Sequence, residues 1–331
     1  MTRPSARIGI SVAIALAAVA LLLWWGGARW EDIWDALVRC GPWPFVAVLG
    51  IQATIHLLRG VRLAGLLRAM GDEPPPVSGL TASSAAWILD SQVLPGRIGE
   101  ATLVLHLRRI GVDPEHGVVG LLLSRLLDLF TLSATMTGAS VAMAALETHQ
   151  RIEFLTPLAA AMGALTGALG LAILRGGSAV GLARTALART GVGRFGLGAR
   201  ALDFGVRVEA ALRAVPRVAL ARAAGVSLGV TAAIVVAYGV LGTGVGLPEL
   251  GPLGLTFGAC FAILGSLVPI SGFLGIGAFD MAWAFGFAAL GVPHDVAVAT
   301  GLAFHTLYLV QVAIHGAWGH LLLARAARRR P

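Results

Sequence analysis

Long apolar stretches alternate along the chain with short polar breaks, and six of them are near or above the roughly 20 residues that a helix needs to cross about 30 Å of hydrocarbon. They run approximately from Ile8 to Gly26, Pro42 to Leu58, Gly117 to Leu146, Phe154 to Leu174, Val218 to Gly242 and Val296 to Leu323. The pattern predicts six transmembrane helices. The first stretch follows Arg3 and Arg7, but it is too long for a secretory signal and no small-x-small cleavage site precedes Trp24-Trp25, so it reads as an uncleaved span. After it, Trp30, Ile33, Trp34, Leu37 and Val38 form one helical stripe opposite Glu31, Asp32, Asp35 and Arg39, the pattern of a helix lying flat at the outer interface.

Two further apolar segments are interrupted. Val77 to Leu94 carries Ser83, Ser84, Asp90, Ser91 and Gln92, breaks at Pro95-Gly96-Arg97-Ile98-Gly99-Glu100, and resumes in an arm ending at Arg108-Arg109. About ten helical residues reach only some 15 Å, too little to cross, so the segment reads as a re-entrant hairpin entering from the cytoplasmic side. Gly251 to Val268 likewise breaks over Pro269 to Gly277 and resumes from Ala278 to Leu290.

The two broken segments share a register. Glu100 is followed 11 residues later by Gly111-Val112, and Arg125 comes 14 beyond Gly111; Asp280 is followed 11 later by Gly291-Val292, and His305 comes 14 beyond Gly291. The offset is 180 throughout, although upstream it fails, since Pro95 lies 5 before Glu100 and Pro269 lies 11 before Asp280. The counted crossings make the second hairpin enter from outside, so the halves read as inverted copies. Paired broken helices in inverted halves point to a midplane substrate site; the alternative is that both are packing devices.

Composition agrees with a bilayer as solvent: 57% of the 331 residues are apolar and 13% charged, with a mean hydropathy of +0.82. The net charge of +8 does not imply nucleic acid, because there is no Lys and the Arg residues gather at the ends of spans. Nine Arg lie between Arg175 and Arg222, and Arg325, Arg328, Arg329 and Arg330 close the chain. By the positive-inside rule both clusters, and both termini, are cytoplasmic. Arg59, Arg62 and Arg68 read in the same way, as the cytoplasmic exit of the second span.

Ionisable groups at membrane depth cost about 3 kcal/mol and usually line a polar path. Glu100 and Asp280 are such groups, with a plain first-turn acid favoured by the helix dipole as the competing reading. Arg125 and Asp128, three apart on one span, are placed to pair with each other; alternatively Arg125 and Arg97 receive a phosphate. The backbone N–H groups of Gly96, Gly99, Gly275 and Gly277 would add anion donors at half-helix starts. Gly191-Val192-Gly193-Arg194-Phe195-Gly196 has the letters of a dinucleotide loop but no preceding strand. Cys40 and Cys260 have no ligand spacing, and His315 and His320 are five apart rather than four, so neither a metal nor a cofactor is expected.

The motifs Leu94-Pro-Gly-Arg-Ile-Gly-Glu100, Gly111-Val112, Ser124-Arg-Leu-Leu-Asp128, Pro269-Ile-Ser-Gly-Phe-Leu-Gly-Ile-Gly-Ala-Phe-Asp280 and Gly291-Val292 resemble those of the lysylphosphatidylglycerol synthase/flippase membrane-domain family, over roughly residues 40 to 325. The resemblance implies lipid translocation. Two-part members join this domain to a soluble aminoacyl-transferring domain, for which no residues remain here, so synthesis of an aminoacyl lipid is not expected. The family tends to carry Glu and Arg where this chain has Asp280 and His305, which leaves the headgroup open, glycolipids and hopanoids included.

The expectation is therefore an all-α polytopic membrane protein: about six full spans plus two re-entrant broken-helix hairpins in inverted-topology repeats. It is a single membrane domain over 1–331, with half-repeats at about 42–146 and 218–323 and an Arg-rich linker at about 175–217. It would move a polar lipid headgroup across the cell membrane along a path of Arg97, Glu100, Arg125, Asp128, Asp280 and His305. The partners would be membrane lipids and a lipid-synthesising enzyme. Alternatives are a membrane transferase, for which an acidic metal-binding pair is expected but only Asp72-Glu73 is adjacent near a cytoplasmic loop, and a non-catalytic assembly partner of an envelope enzyme.

Overall fold

The computed structural model describes residues 16–17, 19–94, 98–146, 155–189, 196–266, 274 and 276–328. Among these every regular element is helical: α1 (19–26), α2 (Trp30–Arg39), α3 (Pro42–Ala69), α4 (Val77–Val93), α5 (Ile98–Arg109), α6 (Pro114–Ala145), α7 (Leu155–Arg189), α8 (Gly196–Ala214), α9 (Arg217–Gly244), α10 (Gly251–Ser266), α11 (Ala278–Ala289) and α12 (His294–Ala327). Five are long and apolar enough to cross a membrane, within α3, α6, α7, α9 and α12. They coincide with five of the six expected spans, and the chain is an all-α polytopic membrane protein. Most of the remaining span, Ile8 to Gly26, lies outside the described residues.

The repeated Gly-Val pairs are helix stops. Gly111 and Gly291 take φ of 94° and 92°, a conformation that costs glycine little. The next residue turns its N–H back onto the carbonyl five before it, Val112 to Leu107 at 3.0 Å and Val292 to Phe287 at 3.2 Å. Proline then starts α6 at Pro114 and precedes α12 at Pro293, where its missing N–H costs nothing. Thus α5 and α11 begin at 98 and 278, and α6 and α12 at 114 and 294, a common offset of 180 residues. Upstream, α4 and α10 begin at 77 and 251. The two breaks, 94–97 and 267–277, differ in length, which is why the register fails there.

Each broken segment folds back on itself. Ile110 at the end of α5 packs on Gly79 near the start of α4, and Gly99 is pressed against the α4 backbone at Asp90 and Ser91. Similarly, Gly265 of α10 meets Ala278 and Ala282 of α11, and Gly258 meets Phe287. Helices α3 and α9 are antiparallel neighbours, with Pro44 against Gly244 and Leu58 against Gly229. The α4–α5 hairpin follows the last turn of α3 and the α10–α11 hairpin follows the last turn of α9, at opposite ends of that pair. Helix α12 runs along α4, and α6 along α10.

Two sequence expectations are corrected. The second span does not end at Leu58: α3 continues to Ala69, so Arg59 and Arg62 are part of the bundle and Arg62 is buried. An apolar run followed by Arg resembles a span followed by its cytoplasmic loop, but here the helix continues and Arg62 pairs with Asp128 inside the bundle. The Arg-rich stretch read as a loop is largely helical, since α7 reaches Arg189 and α8 packs Val208 and Ala211 into the core.

The buried apolar residues form two clusters. One contains Val48 of α3, Leu132 and Met136 of α6, Leu241 of α9, Phe257 of α10, Trp283 of α11 and Phe304 of α12. The other contains Leu63 of α3, Trp87 of α4, Leu107 of α5, Leu123 of α6, Ala223 of α9 and Leu323 of α12. The long helices contribute to both. Polar side chains occupy the register between, including His56 and Arg62 of α3, Asp128 and Thr131 of α6, Ser227 and Thr231 of α9, and Gln311 and His315 of α12. The Thr131 and Thr231 hydroxyls meet at 2.9 Å.

Candidate functional site

Arg125 lies about 16 Å along α6 from Pro114, at 1.5 Å per residue. Its guanidinium grips Glu100, the third residue of α5, with two parallel contacts: Nε to Oε2 at 2.7 Å and an Nη2 to Oε1 separation of 2.6 Å. The same guanidinium stacks over Trp87 of α4, 4.5 Å from the ring centroid, and Arg59 of α3 lies 5.9 Å from that ring. One turn further along α6, Asp128 accepts hydrogen bonds from Nη1 and Nη2 of Arg62, and Arg62 Nη1 also reaches Ser227 Oγ at 2.6 Å.

The pairing expected between Arg125 and Asp128 does not form. Three residues apart on α6 both face the interior, but α5 presents Glu100 to one and α3 presents Arg62 to the other. These interhelical geometries are bidentate, whereas an i, i+3 pair on one helix would have to bend two side chains toward each other.

Among the described residues, three guanidiniums, from Arg59, Arg62 and Arg125, thus lie together with two carboxylates, Glu100 and Asp128. Among the described residues no carboxylate lies within ion-pairing distance of Arg59, and the Nε groups of Arg59 and Arg62 lack hydrogen-bond partners. The surplus is positive. His56 Nδ1 meets Ser84 Oγ at 3.2 Å on one side, and its ring lies 5.4 Å from that of His315. Tyr308 of α12 lies close enough to Arg59 and Arg125 to interact with their charge.

The second half has the matching pair in a different setting. Asp280, the third residue of α11, receives His305 Nδ1 at 2.9 Å, the same 180-residue offset from Glu100 and Arg125. The Asp280 side chain is 1% exposed and that of His305 6%, against 22% for Glu100 and 28% for Arg125. Phe279 touches the His305 ring edge-on at 4.9 Å, and Phe304, Trp283 and Tyr238 continue the aromatic wall. Asp280 also accepts the Gly277 N–H at 2.9 Å, so it is both a helix cap and half of a buried pair.

The glycine donors fare differently. The Gly277 N–H is already used by Asp280, so it is not available to an anion. Gly99 is buried against α4, where a Cβ would come within 2.6 Å of the Asp90 carbonyl oxygen; close helix packing accounts for it. Gly96, Arg97 and Gly275 lie outside the described residues.

Two groups of metal-ligand type come together, the first from three helices and the second from the turn after α3 and the start of α6. Asp90 of α4, His106 of α5 and His320 of α12 present atoms all within 4.8 Å of one another, as do Asp72, Asp113 and His116. Sequence spacing did not reveal the first group, since its members stand on three elements. Arg59 and Arg62 were also missed as site residues; the available signal was their position, within helical register of an apolar span and opposite an acid on another.

The chain matches the family described as lysylphosphatidylglycerol synthase TM region over residues 10–316. No curated protein matches the chain at a significant level.

Proposed function

We propose, from the premise that the chain belongs to the lysylphosphatidylglycerol synthase membrane-region family, that it lets the polar headgroup of an anionic lipid cross the bilayer while the acyl chains stay in the membrane. The observation that carries this reading is the positive surplus of the Arg59, Arg62 and Arg125 cluster over Glu100 and Asp128. Holding Arg59 at membrane depth without a carboxylate of its own is costly, and such a charge is retained where it meets a ligand. A phosphate oxygen supplies the missing anion, and Trp87 beneath the guanidiniums keeps them spread and oriented.

On this reading the two hairpins are re-entrant and enter from opposite faces, in inverted halves whose broken helices meet at the polar layer. The Arg-rich ends of α3, α5 and α12 face the cytoplasm of a cell membrane. The two acid–base pairs divide the work. Glu100 and Arg125, partly open, exchange partners with the headgroup: as phosphate approaches Arg125, Glu100 is released from its bidentate grip. Asp280 and His305, sealed by aromatic rings, hold the second hairpin to α12.

Lipid capture tests the recognition step. Protein extracted from membranes and examined by native mass spectrometry should retain phospholipids of the phosphatidylglycerol type, and Arg59→Leu should retain at least about tenfold less. Equal retention of neutral glycolipids and anionic phospholipids by the wild type would contradict the assignment of Arg59 to a phosphate.

A further inference from the structure

Asp90 stands near the end of α4, His106 on α5 and His320 on α12. The Asp90 carboxylate is held between two imidazoles: Oδ2 lies 2.8 Å from His106 Nε2 and Oδ1 lies 3.0 Å from His320 Nε2. The two rings meet edge to face, 5.3 Å apart. Close packing brings them there. Gly316 sits against the Leu89 side chain, and Gly319 against the backbone of Ala82 and Ala86, so α12 approaches α4 with no side chain of its own at these two positions and His320 reaches Asp90.

The burial is graded. His106 is 5% exposed, and its Nδ1 is buried with no hydrogen-bond partner. Without an ion the Asp90 carboxylate holds the proton on Nε2, and the unpartnered Nδ1 is the nitrogen that carries it when Nε2 turns its lone pair to a metal. His320 is 39% exposed and forms the rim. Besides His320, the charge of Arg109, about one turn on along α5, reaches His106. Two imidazole nitrogens and one carboxylate oxygen, converging from three helices with the fourth side open at a rim, are the donor set and open geometry that suit a borderline first-row dication.

We propose that Asp90, His106 and His320 form a binding site for a divalent cation of the Zn2+ and Co2+ class. Bound there, the ion displaces the protons that otherwise bridge each imidazole to the carboxylate and ties both arms of the first hairpin to the last helix. The site shares no residue with the Arg cluster and does not depend on the lipid reading.

The test uses protein purified without a polyhistidine tag, stripped with a chelator and titrated with Co2+ in detergent, with Zn2+ as competitor. Saturation at one Co2+ per chain with visible d–d absorption, displaced by Zn2+, is expected. His320→Gln, at the rim, should weaken binding by at least about 100-fold, more than loss of an outer-sphere contact typically does. His116→Gln, in the Asp72–Asp113–His116 group, should leave it unchanged. His320→Cys should restore binding and add a thiolate-to-Co2+ charge-transfer band, a readout that a damaged fold would not produce. Absence of saturable Co2+ absorption in the wild type, survival of full affinity in His320→Gln, or a His320→Cys protein that binds Co2+ with no such band would overturn the assignment.

Discussion

Asp128→Ala removes the only carboxylate that Arg62 contacts among the described residues and leaves that guanidinium, 2% exposed, with Ser227 alone. Removing one partner of a buried pair costs about 3–5 kcal/mol because the other charge stays buried and unpaired. The Asp128 side chain is 22% exposed, which places the expected loss near the lower limit, about 3 kcal/mol. The insertion cost of a lone Arg at the centre of a membrane helix gives a similar figure, about 3 kcal/mol. Arg59 and Arg125 also lie within electrostatic reach of Asp128, so the single substitution leaves three guanidiniums against Glu100. The double variant Arg62→Leu with Asp128→Ala removes both charges and, set against each single substitution, should recover most of the stability. Unfolding of each variant in bicelles, followed by steric trapping, measures the coupling, expected at about 2–3 kcal/mol. Additive losses, with the double variant as unstable as the two singles summed, would refute the idea that α3 and α6 are joined through this pair.

Three further outcomes follow from local geometry. Asp280→Ala strips the acceptor from both the Gly277 N–H and His305 Nδ1, so it should cost about 2 kcal/mol or more, whereas Asp280→Asn keeps an acceptor for the backbone and should cost less; equal thermal shifts for the two would count against it. Gly319→Ala should destabilise by about 1–3 kcal/mol, because its Cβ would lie 2.6 Å from the Ala82 carbonyl oxygen, while Gly138→Ala, with open space around it, should be neutral or stabilising; a drop in thermal unfolding temperature for Gly138→Ala as large as for Gly319→Ala would count against it. Asp32 accepts the Arg29 backbone N–H at 2.7 Å, which holds its carboxyl below the usual range. The α2 cap is therefore present above about pH 4 and is lost as pH falls through the folded pKa; a carboxyl NMR titration placing Asp32 at or above the ordinary Asp value would contradict this.

What the sequence disclosed was mostly local. Five spans are visible because a run of apolar residues is both the cause and the sign of a membrane helix. The Gly-Val stops, and the acid and base at a constant offset, are visible because α5 to α6 and α11 to α12 keep one register along the chain. Interhelical partners were not visible. Arg125 and Asp128 are neighbours on α6, and nothing in their spacing says that each prefers a residue from another helix. Arg62 lies 66 positions before Asp128, and its meaning depends on α3 continuing past Leu58. His320 is 230 positions from Asp90, brought near by small residues whose role appears only when two helices touch.

Passage of an anionic headgroup along the Arg59, Arg62 and Arg125 cluster is read out by leaflet exchange in vesicles. Purified protein is reconstituted with a trace of phosphatidylglycerol carrying a headgroup fluorophore, and an impermeant reductant bleaches whatever reaches the outer leaflet. Wild type should bleach the inner-leaflet pool far faster than protein-free vesicles. Arg59→Leu, which removes a cation with no carboxylate of its own, should fold and reconstitute as well as wild type yet exchange at least about tenfold more slowly. Exchange in the wild type no faster than in empty vesicles, or undiminished exchange in Arg59→Leu, would contradict the account.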